Sequence, residues 1–128
     1  MDINHNTIES WLGEISEAMK KKVTIDDPQG VLEKLNDLSS LLSLNSQCIS
    51  WAENFYNIKI GELVQAAAYK DHTATDKKFL FPALAEKQIR LKTLAEAQSK
   101  DLHYEIESIR SMLSYLKQEM NASKTQQQ

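Results

Sequence analysis

One cysteine, two prolines and three glycines in 128 residues leave little with which to staple, break or turn this chain. A single cysteine, Cys48, excludes an internal disulfide and a cysteine-built zinc site. The scarcity of proline and glycine argues against frequent turns and for long helices. No uninterrupted apolar run approaches the roughly 18 residues of a membrane span. The first apolar stretch, around Trp11 and Leu12, is broken by Glu9, Glu14 and Glu17, so no secretory signal peptide is expected, and the expected setting is the cytoplasm. No glycine-rich phosphate loop occurs. A net charge of -3 excludes both a general nucleic-acid coat and a strongly acidic DNA mimic.

What is present is helical periodicity. Asn6 followed by Glu9 has capping-box spacing, and Ile8, Trp11, Leu12, Ile15 and Met19 then share one face, predicting a first helix over 6–22. Asp27-Pro28 pairs an N-cap carboxylate with a proline at the first helical position. From there Val31, Leu35, Leu38, Leu42, Asn45, Ile49, Ala52, Tyr56, Lys59, Leu63 and Ala66 alternate by four and three, predicting a second helix over 28–69. The segment KDHTATDKKFLFP reads as the turn, with Pro82 opening a third helix over 82–120. That helix carries Leu84, Gln88, Leu91, Ala95, Gln98, Leu102, Ile106, Ile109, Leu113, Leu116 and Met120, with a stutter at Leu102. Residues 121–128 read as a disordered polar tail.

The expected fold is therefore all-α: a single domain built as a long, coiled-coil-like antiparallel helical hairpin preceded by a short N-terminal helix. Pairing residues whose numbers sum to 150 or 151 sets Val31 against Met120, Leu38 against Leu113 and Leu42 against Ile109. In that register IESIRSMLSYLKQEM lies on VLEKLNDLSSLLSL. Two helices alone bury little, so the first helix or a second copy of the chain is expected to cover the hairpin. A homo-oligomer, first of all a dimer, is expected, with Trp11, Ile15, Trp51 and Phe55 at the contact.

Catalytic chemistry is hard to find. His103 and Glu107 stand four apart, but no second pair completes a metal site. His5 falls in the N-terminal arm and His72 in the turn, neither with an evident partner. Cys48 sits near the seam, as a small core residue would. No enzyme activity, cofactor or metal is expected. Charge is more informative. Residues 1–69 carry 5 basic and 10 acidic side chains, whereas 70–92 carry Lys70, Lys77, Lys78, Lys87, Arg90 and Lys92 against three acids. These six residues, with Tyr69, Phe79 and Phe81 nearby, mark a basic hairpin tip suited to single-stranded nucleic acid or an acidic protein.

The closing helix, ending IRSMLSYLKQEM, resembles small helical proteins encoded by tailed bacteriophages and prophages. The likeness covers mainly residues 84–120 and carries over no binding residue. It implies a phage setting, in the host cytoplasm, and an accessory role in DNA recombination or replication. On the residues alone, three roles remain open: an interaction or adaptor protein in that machinery, a virion assembly scaffold or chaperone, and an inhibitor of a host or defence enzyme.

Overall fold

The computed structural model describes residues 2–126. Four α-helices and one short 3-10 turn follow in order: α1, His5–Lys20; α2, Pro28–Gln65; the turn, Ala67–Tyr69; α3, Ala74–Leu84; and α4, Glu86–Gln126. The chain is all-α, and α2 and α4 run antiparallel as a hairpin with α1 packed along it.

The helix starts follow local chemistry. At α1 the cap is Asn4, two residues earlier than the Asn6 expected. Thr7 donates its backbone N–H to Asn4 Oδ1 at 3.0 Å, and Asn4 N–H returns to Thr7 Oγ1 at 3.2 Å. Both orphan donors are met by this pair. Asp27 caps α2 as the sequence indicates, its carboxylate accepting from Gly30 N–H at 3.1 Å with Pro28 in the first turn.

The expected turn differs most. Residues 74–84 are helical, started by Thr73, whose Oγ1 accepts the Asp76 N–H at 3.1 Å. Pro82 lies within α3 and does not open α4. Lacking an N–H, it leaves the Lys78 carbonyl without its usual donor, and the helix breaks three residues later, at Ala85. α2 stops at Gln65 rather than residue 69, and α4 runs on to Gln126, so the tail expected from residue 121 is helical as far as the description goes; Gln127 and Gln128 lie outside it.

The early start of α3 moves the bend towards residue 70, and the register moves with it. Lys34 pairs with Glu105 at 2.8 Å, and Asn45 Nδ2 donates to the Ala95 carbonyl at 3.3 Å. Partners' numbers thus add to about 140, which sets Leu38 level with Leu102 and Val31 level with Ile109; all four belong to one buried cluster. The register near 150 is overturned, because displacing a bend by five residues displaces the sum by ten. Pro28 is then level with residue 112, and α4 projects beyond α2. Of IESIRSMLSYLKQEM, Ile106 and Ile109 are buried, whereas Tyr115 and Met120 are exposed.

α1 lies in one groove of the hairpin, burying Ile8 and Leu12 with Cys48, Ala52, Leu91 and Ala95, and Ile15 with Leu38, Leu102 and Ile106. Two polar side chains hold it there. Lys34 donates to the Met19 carbonyl at 2.9 Å as well as to Glu105, and Gln98 Nε2 donates to the Leu12 carbonyl at 2.8 Å. Each charge or amide is buried with a partner, which offsets its desolvation.

Candidate interaction site at the closed end of the hairpin

At the closed end the aromatics divide. Tyr69 meets His72 and Phe81 edge-on, with ring centroids 5.6 and 5.8 Å apart, so two of the three tip aromatics close the bend. Phe81 is buried, while Phe79 is left 76% exposed. α3 stands away from the end of α2, and between them opens a cleft of about 460 Å³ lined by Tyr56, Ile60, Val64, Ala74, Phe81 and Pro82. Its floor is apolar because α2 offers Tyr56, Ile60 and Val64 at successive steps of four. Lys77 and Lys78 complete its lining, and Lys92 lies over the Tyr56 ring, 5.6 Å from its centroid. Such a stacked ammonium contributes about 0.5–1 kcal/mol where partly exposed.

The six basic residues of the tip therefore do not converge. Lys77, Lys78 and Lys92 gather around this cleft. Lys87 and Arg90 sit on the opposite, α1 side of the hairpin, in a cleft of about 290 Å³ that also holds His5, Glu9 and Glu86. There Arg90 pairs with Glu86 at 2.6 Å, and His5 Nε2 meets Glu9 at 2.9 Å, so acids offset much of the positive charge. Lys70 is exposed in the bend. The cleft floor and α3 wall escaped the sequence reading; the signal for α3 is Thr73-x-x-Asp76, a cap spacing inside the segment read as a turn.

The residues expected at an oligomer contact have work inside the chain. Ile15, on the inner face of α1, is fully buried against the hairpin, and Trp11, Trp51 and Phe55 are half-buried against the Ile8 cluster. Trp51 and Phe55 stack on each other at 5.8 Å. They cover the monomer's own core, because α1 brings Trp11 onto the flank of α2 that carries them.

Remaining candidates for chemistry stay apart. His103 is exposed, and Glu107 is engaged by Arg110 at 2.7 Å. Burial pushes the Cys48 thiol from 9.0 up to about 11, which keeps it protonated and a poor nucleophile at neutral pH. Among the described residues, no three of His, Cys, Asp and Glu gather to hold a metal ion, and no helix is long and apolar enough to cross a membrane. No protein-family model, curated protein or solved structure matches this chain.

Proposed function

We propose that this chain is a non-enzymatic interaction protein, a homodimeric adaptor that holds an acidic, apolar segment of another protein in the closed-end cleft. One observation carries the reading: an apolar floor bordered by Lys77, Lys78 and Lys92, none of which forms an ion pair among the described residues. A helix with leucines on one face and glutamates beside them would bury its leucines on Ile60, Val64 and Phe81 and meet the lysines at the rim. The phage resemblance supplies the setting, an accessory step in DNA recombination or replication.

A second reading, single-stranded nucleic acid, is favoured by the interleaving of Lys92 on Tyr56 and of Lys77 and Lys78 with Phe81, since bases stack on rings while lysines track phosphates. Fluorescence anisotropy separates the two. A labelled amphipathic Leu/Glu peptide is expected to bind, and Lys77→Glu with Lys78→Glu is expected to weaken it about tenfold or more without loss of helicity. Binding of a thymidine oligonucleotide with a steep salt dependence, and none of the peptide, would transfer the function to nucleic acid. Binding of neither at low salt would end the adaptor reading.

A further inference from the structure

α3 turns one face to the closed-end cleft, with Ala74, Lys78 and Pro82 at successive steps of four and Lys77 and Phe81 beside them. In an α-helix each backbone carbonyl points along the axis towards the N–H four residues on. The Lys78 carbonyl therefore points at Pro82, which has no N–H to give. Both residues line the cleft, so this acceptor opens onto it. Among the described residues, no side chain and no backbone group beyond α3 donates to it.

Besides the Tyr56 hydroxyl, the polar groups around the apolar floor are of two kinds. Lys77, Lys78 and Lys92 carry ammoniums that only donate, whereas the Lys78 carbonyl only accepts. Among the described residues the lining holds no carboxylate. At 100° per residue Asp76 and Glu62 fall on the far faces of α3 and α2, and Glu53 stands one turn before Tyr56, outside the lining. An occupant that covers the carbonyl without a donor strips it of water and gives nothing in exchange. A cationic donor is repelled by the three lysines. A hydroxyl or amide side chain brings further polar atoms of its own into an apolar cleft. An indole suits the site on each count. Its single N–H matches a single acceptor, its ring fills apolar space beside Val64 and Phe81, and its face attracts the ammoniums of Lys77 and Lys78.

We infer that the segment held in this cleft is anchored by a tryptophan whose indole N–H donates to the Lys78 carbonyl, while acidic residues beside it meet the lysines. The inference rests on the adaptor reading above and names the residue type by which the cleft selects its partner. Pro82 then determines specificity through the backbone. It interrupts the helical ladder at Lys78 and so keeps the acceptor free on the cleft face. On the far face of α3 the same proline would leave a carbonyl to water alone.

Competition against the labelled Leu/Glu peptide, read by fluorescence anisotropy on the full chain, tests this. One leucine of the competitor at a time is replaced by tryptophan or by benzothienylalanine, which keeps the shape of the indole and sets sulfur where the N–H was. At one position the tryptophan peptide is expected to bind the wild type about tenfold more tightly than its benzothienyl counterpart. Pro82→Ala gives residue 82 an N–H, which closes the helical ladder onto the Lys78 carbonyl. In that variant the two peptides are expected to bind alike, with the affinity of the benzothienyl peptide unchanged from wild type. In the wild type the carbonyl carbon resonance of Lys78 is expected to shift to higher frequency with the tryptophan peptide and not with the benzothienyl one. Equal binding of the two peptides at every position, or a tryptophan preference that survives Pro82→Ala, would overturn the indole anchor and leave the adaptor reading standing. Binding of no peptide would overturn both.

Discussion

Cys48 has no exposed surface, and its thiolate is penalised by the apolar cluster around it, Ile8, Leu12, Ala52 and Leu91. Two consequences follow. Labelling by dithionitrobenzoate at neutral pH is expected to be slow and to accelerate with denaturant in step with unfolding. The thiol's contribution to stability is fully present below pH 9, the unfolded value, and is lost as pH rises through about 11, because only the unfolded chain can ionise there. Wild type is thus expected to lose stability relative to Cys48→Ala between pH 9 and 11, measured by urea unfolding. Asn45 shows another residue-scale cost. Its Nδ2 is satisfied by the Ala95 carbonyl, but its Oδ1 is buried without a partner. An unmet acceptor costs about 1–3 kcal/mol, and what it supports here is alignment: no other level of α4 offers Asn45 the same carbonyl.

At the scale of elements, the three glycines differ by what surrounds them. Gly13 in α1 and Gly61 in α2 are exposed, and a methyl added at either meets nothing within 4 Å. Gly13→Ala and Gly61→Ala are therefore expected to stabilise the protein by about 0.5–1 kcal/mol each, through helix propensity alone. At Gly30 the same methyl runs into the Asp27 carboxylate that caps α2. There the loss of the cap, about 1 kcal/mol, cancels the gain in propensity, and Gly30→Ala is expected to be close to neutral. Thermal melts of the three variants check the contrast. Caps also explain which element was hidden. Asp27-Pro28 announces α2 plainly, but Thr73 and Asp76 sit in a stretch whose apolar residues, Phe79, Leu80 and Phe81, are consecutive and carry no helical period.

At the scale of the whole molecule, the hairpin register is the testable quantity. Spin labels at positions 40 and 101 (with Cys48 replaced) are expected to lie about 15 Å closer along the axis than labels at 40 and 111, because ten residues of helix separate the two registers. Double electron–electron resonance in diluted, partly labelled samples reads the difference directly; a shorter distance for 40 and 111 would restore the register near 150. Ser40, Asp101 and Ser111 are all exposed, so the labels leave the core intact.

Composition and periodicity alone determined the all-α class, the long α2 and α4, the start of α2 at Asp27-Pro28 and most of the α4 face that is buried, from Leu91 to Ile109. These are local properties: a cap needs neighbours three residues away, and an apolar stripe needs only its own spacing. Tertiary structure decided the rest. Heptad-like stripes pair almost as well when slid by whole turns, so the register waited on where the bend and α3 lay and on the two polar contacts, Lys34 with Glu105 and Asn45 with Ala95. The side of the hairpin taken by α1 likewise determined that Lys34 and Cys48 are buried while Leu35 and Ile49 stay half-open. The separation of Lys77, Lys78 and Lys92 from Lys87 and Arg90 onto opposite flanks follows from the same cause, since residues close in sequence face apart once the helix carrying them is docked.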